Sequence, residues 1–133
     1  MKQFVFLSLL FLANLSFAQT NPATNMVATQ DTLINGGTTT HVKLLSAHYN
    51  TVTVAVVVTK VSGTVGGSVA LQGSIDGVKY YAISGASNLT LTDTASQGTL
   101  WVLTNAPYSY YRTLGTGTGT MRAVVTAKIL PKK

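Results

Sequence analysis

The sequence predicts an all-β protein: a single antiparallel β-sandwich, jelly-roll-like, of eight or nine short strands behind an N-terminal signal-peptide helix. Three observations carry this. Thr, Val, Gly and Ser dominate, with 46% hydrophobic but only 9% charged residues in the 133-residue chain. Stiff, β-branched side chains pack well on pleated surfaces. Helix formers are scarce after residue 20, and apolar runs of period two recur between Gly, Asn, Asp and Pro turn signals. A closed barrel is the competing architecture.

The first element is set apart from the fold. Met1-Lys2 is a short positive start, Phe4 to Leu15 is apolar, and Ser16-Phe17-Ala18 places small residues before Gln19. That is the form of an export signal, shorter than the ~20 residues of a membrane span. The expected organisation is residues 1–18 as signal peptide, 19–28 as a flexible lead-in and 29–133 as the sandwich. The expected location is the periplasm, cell surface or exterior, with no stable membrane insertion after cleavage. The junction "FAQT" resembles those of exported Bacteroidota proteins. All four Phe lie within the segment, and no Cys exists to form a disulfide.

Thr29–Ile34 is expected as the first strand, ended by Asn35-Gly36-Gly37. Thr40–Ser46 follows, with Val42 and Leu44 on one face and His41, Lys43 and Leu45 on the other. Asn50–Val61 is the clearest strand. Val52, Val54, Val56 and Val58 form an aliphatic face towards a core. Val69–Leu71 and Tyr81–Ile83 flank Asp76-Gly77, read as a type I′ hairpin turn with Val69, Leu71, Tyr81 and Ile83 inward.

Leu89 and Leu91 mark a short strand, and Thr99–Thr104 another, with Trp101 and Leu103 opposite Leu100 and Val102. Tyr108–Leu114 is next, and Gly115-Thr116-Gly117-Thr118-Gly119 reads as a flexible turn. Thr120–Leu130 closes the fold with Met121, Ala123, Val125, Ala127 and Ile129 inward. Pro131-Lys132-Lys133 reads as protection of an edge.

The chemistry points away from catalysis. The three acids are Asp31, Asp76 and Asp93, and the histidines are His41 and His48. No paired carboxylates, nucleophile elbow or metal-ligand spacing is present, so no catalytic, cofactor-binding or metal-binding residue is assigned. The net charge of +6 comes from scattered cations, with no basic block of the kind nucleic-acid binding uses.

The aromatic residues give the candidate site. Tyr49, Tyr80, Tyr81, Trp101, Tyr108, Tyr110 and Tyr111 supply core anchors and surface platforms. Alternation sends one ring of each Tyr-Tyr pair to each face. Tyr80, Tyr110 and Arg112, with Gln72 and Lys79, are the expected partner contacts.

Leu71-Gln72-Gly73-Ser74-Ile75-Asp76-Gly77, the Tyr-Tyr that follows, Tyr110-Tyr111-Arg112 and the Gly-Thr-Gly-Thr-Gly run resemble small β-sandwich modules of phage virion and tail proteins and of discoidin-like binding domains. The resemblance covers residues 50–130 and implies non-catalytic attachment or assembly. Asp31-Thr32-Leu33 and Asp93-Thr94-Ala95 resemble a bacterial O-glycosylation motif, which implies Thr32 and Thr94 as acceptors. The leading expectation is a structural or surface-interaction protein that binds a protein partner or itself. Glycan binding through exposed Tyr and Trp is the alternative.

Overall fold

The computed structural model describes residues 23–28 and 31–133. The signal segment 1–18 lies outside the described residues, as do 19–22 and 29–30 of the expected lead-in and first strand. The described chain is all strand and loop, with eleven strands in two antiparallel sheets.

Sheet A contains β1 (Thr24–Asn25), β3 (Thr32–Ile34), β5 (Tyr49–Ser62), β9 (Ser96–Ala106) and β11 (Arg122–Lys132). Its order is β1-β11-β5-β9, with β3 also on β11. Sheet B contains β2 (Val27–Ala28), β4 (Thr38–Leu44), β6 (Gly66–Ser74), β7 (Tyr81–Ala82), β8 (Leu89–Leu91) and β10 (Tyr110–Thr118). Its order is β2-β4-β10-β6-β7, with β8 also on β6. From β3 onward the chain passes between the sheets at β4, β5, β6, β9, β10 and β11, which is jelly-roll wiring. The sandwich reading holds over the barrel.

The aliphatic alternation dictates the core. Val52, Val54, Val56 and Val58 of β5 are buried beside Ala123, Val125, Ala127 and Ile129 of β11. Facing them from sheet B are Val69, Leu71 and Tyr111. Within sheet A, Val56 sits opposite Ala127, whereas Val54 has Ile129 on one side and Trp101 on the other. Each buried Val, Leu or Ile among them contributes roughly 1.5–3 kcal/mol. Trp101 closes one side, its indole N–H donating to Ser87 O at 2.8 Å.

Four expectations are corrected. Residues 24–28 of the lead-in are paired: Thr24 lies opposite Ile129 in sheet A and Val27 opposite Val42 in sheet B. The Gly115–Gly119 run is strand up to Thr118. A Cβ on Gly117 would lie 2.3 Å from Ile34 O, and one on Gly115 2.5 Å from Thr39 Oγ1, so crowding selects glycine there. The turn itself is confined to Gly119 (φ 84°) and Thr120. Pro131 does not guard an edge, because β11 is interior, between β5 and the β1/β3 pair. Tyr81, expected in the core, is 63% exposed. It sits opposite Gly73, where the Tyr108 ring fills the inward space: a Cβ on Gly73 would lie 2.5 Å from that ring.

Candidate ligand-binding face

Sheet B turns one face to the core and the other outward. On β10, Tyr111 and Thr113 point in, which sends Tyr110, Arg112 and Leu114 out. Register then places Arg112 between Gln72 of β6 and Val42 of β4, and Tyr110 between Ser74 and Leu44.

The hairpin after β6 is longer than a two-residue turn. Ser74 and Asp76 organise it. The Ser74 hydroxyl donates to Asp76 Oδ1 (2.8 Å) and accepts from Gly77 N–H (2.9 Å). Asp76 Oδ1 also accepts from Val78 N–H (2.8 Å) and Lys79 N–H (3.1 Å). Those donors, with Val78 first, hold the Asp76 carboxyl below its ordinary value. Of the two turn residues, only Gly77 has positive φ (75°). It lies against Tyr110, where an added Cβ would be 3.0 Å from the ring.

Tyr80 ends this loop and returns over the sheet. The Arg112 Cζ sits 4.0 Å from the Tyr80 ring centroid. Arg112 Nε donates to Gln72 Oε1 at 2.9 Å, and Nη2 donates to the same oxygen. A planar cation is thus held between an aromatic face and an amide, and its Nη1 is not used by Gln72. Tyr80, Tyr110, Arg112 and Gln72 are all half-buried. Four of the five expected contact residues therefore share one face. Lys79 stands apart, its side chain exposed and its N–H on Asp76.

Three apolar residues around this face escaped the sequence reading: Leu44, Ile75 and Val78 are all exposed. The signal that would have found the last two is Ser74 two residues before Asp76, which marks a wide side-chain-capped loop with outward tips rather than a two-residue turn.

The other polar groups serve the fold. Asp93 Oδ1 accepts from Lys60 Nζ (2.7 Å) and Val65 N–H (2.9 Å), and these hold its carboxyl below the usual value. His41, inside the sandwich, approaches Val125 O of the opposite sheet at 3.1 Å through Nε2, with Asp31 Oδ1 at 3.6 Å. Burial lowers its pKa, and those two partners oppose the shift. Among the described residues no three His, Asp or Glu gather as a metal ion would need, and no helix is long and apolar enough to cross a membrane. Thr94 is exposed in the bend after Asp93, whereas Thr32 lies half-buried in β3 opposite Val124.

No protein-family model and no curated protein sequence matches this chain. Solved structures do match. A family 16 carbohydrate-binding module is similar at 12% identity over 82% of this chain and 83% of its own, with a TM-score of 0.45. A CBM32 module from a family 31 glycoside hydrolase of Clostridium perfringens is similar at 12% identity, 80% and 75% coverage and a TM-score of 0.40. A pilus subunit of Bacillus endospore appendages is similar at 13% identity, 90% and 99% coverage and a TM-score of 0.39.

Proposed function

We propose that the protein is an exported, non-catalytic glycan-binding module whose site is the outer face of sheet B. The observation that carries this reading is the convergence of Tyr80, Tyr110, Arg112 and Gln72. Sugar recognition combines flat apolar surface, for the C–H faces of the ring, with fixed donors and acceptors for its hydroxyls. Both kinds of group are present here. Gly77 backs Tyr110, while Arg112 stacks on one face of Tyr80, so the rings are oriented before any ligand arrives. Leu44, opposite Tyr110 on β4, adds exposed apolar surface beside it, and Ile75 and Val78 are exposed in the loop that carries Tyr80.

A glycan array, followed by calorimetric titration of the best ligand, tests the reading. The wild-type protein binds, and Tyr110→Ala and Tyr80→Ala each weaken binding at least about tenfold, as loss of a central aromatic anchor does. An array without binders, or affinity indifferent to both changes, defeats the proposal. The self-association expected from the sequence draws its support from the other sheet.

A further inference from the structure

We infer that the protein pairs with a second copy of itself through the free edge of β9, extending sheet A across a two-fold axis. Folded proteins blunt their sheet edges with short strands, charges, prolines or bulges, since an open edge invites pairing. Three of the four edges here follow that rule. Among the described residues, sheet B ends in β2 on one side and in β7 and β8 on the other, and sheet A begins with β1 and β3, all of two or three residues.

β9 breaks the rule. It runs 11 residues, pairs among the described residues only with β5, and keeps its register without a shift from Thr59↔Ser96 to Thr51↔Thr104, before Asn105 takes a left-handed φ of 51°. Ser96-Gln97-Gly98-Thr99-Leu100-Trp101-Val102-Leu103-Thr104-Asn105-Ala106 contains no charge and no proline. A cleft of 340 Å³ lies between Ile83–Gly85 and Val102–Asn105.

The hydrogen-bond parity defines what the edge offers. Lys60 N–H donates to Ala95 O at 3.0 Å, so odd-numbered residues of this strand bond to β5. Gly98, Leu100, Val102 and Thr104 therefore direct their N–H and C=O groups to the open side. Leu100 and Val102 also carry exposed side chains (59% and 57%) on the outer face.

A second copy fits this edge better than a charged partner does. In a chain of 9 basic and 3 acidic residues, β9 is a stretch where two like-charged molecules meet without opposed cations. A two-fold axis through Trp101 aligns the antiparallel strands with Leu100 of one copy opposite Val102 of the other. The same patch serves both partners. Residues 98–104 span about 24 Å at ~3.4 Å each. Such an edge contact belongs with the smallest specific interfaces, so the dimer is weak, with a Kd on the order of tens of micromolar.

Sedimentation velocity across a concentration series is the test. Wild type shows a monomer–dimer equilibrium in the micromolar range. Leu100→Lys and Val102→Lys, both exposed and harmless to the core, weaken it at least about tenfold, as an edge lysine does. Thr126→Lys, on the outer face of β11 away from the edge, leaves it unchanged, and circular dichroism confirms the fold of each variant. A monomer up to millimolar concentration overturns the inference, whether the edge is then covered by the chain's own N-terminal residues or by another protein. A dimer indifferent to the edge lysines, or one lost in Thr126→Lys, overturns it equally.

Discussion

Replacing Arg112 with Lys keeps the charge and removes the geometry, which makes it the sharpest probe of the sheet B face. A lysine is a compact point charge and cannot offer two coplanar donors while lying flat on a ring. Arg112 has two donors on Gln72 Oε1 and a Cζ 4.0 Å above Tyr80. A hydrogen bond from a charged group is worth about 1.5–3 kcal/mol where water is excluded. Because the residue is half-exposed, screening reduces that to roughly 0.5–1 kcal/mol. A cation–π contact at such a site adds about 0.5–1 kcal/mol. Arg112→Lys therefore lowers folding stability by about 1–2 kcal/mol, near 4 °C of Tm per kcal/mol for a domain of this size.

Urea unfolding of wild type, Arg112→Lys, Gln72→Ala and the double variant closes a thermodynamic cycle. The expected coupling between Arg112 and Gln72 is about 0.5–1 kcal/mol. Independent sites add within ~0.3–0.5 kcal/mol. Additive effects would show that the two side chains do not act as a unit, and the idea of a preorganised face would fall.

Two further outcomes follow from the interior. Thr113 and Thr39 each bury a hydroxyl that lacks a hydrogen-bond partner among the described residues. Thr113→Val, which keeps the shape and removes the orphaned group, should raise stability by about 1 kcal/mol in thermal or urea unfolding, and a loss of that size would refute the reading. For His41, burial lowers the pKa in the folded state, so the unfolded chain takes up the proton first as pH falls. Stability should decline as pH drops below about 6.5, and His41→Gln should flatten that decline. An unchanged slope in the variant would assign the pH dependence elsewhere.

The strands with a complete period-two face were legible from residues alone. Val52 to Val58 and Ala123 to Ile129 announce both the strands and the core they share, because burial on one side demands the alternation. Gly115 and Gly117 misled for the opposite reason. Composition marks a flexible turn, but the approach of Ile34 O and Thr39 Oγ1 is a tertiary demand that no local pattern records. Residues 24–28 were missed because two-residue pairings are too short to show a period.

The candidate face was legible in parity and illegible in contact. Alternation sent Tyr80, Tyr110, Arg112 and Gln72 outward. That Arg112 lies beside Gln72 depends on β6 and β10 being neighbours, 40 residues apart in sequence. Tyr81 shows where parity alone fails. It faces the core side, but at the end of a sheet, with the Tyr108 ring already covering Gly73, that side offers solvent.

The most direct test of glycan binding is an amide-resolved NMR titration of the protein with the oligosaccharide that the array selects. The shifts should cluster at Gln72, at Gly77 to Tyr80 and at Tyr110 to Arg112, and leave β9 and the outer face of sheet A undisturbed. Shifts centred on sheet A, or none at saturating ligand, would contradict the account.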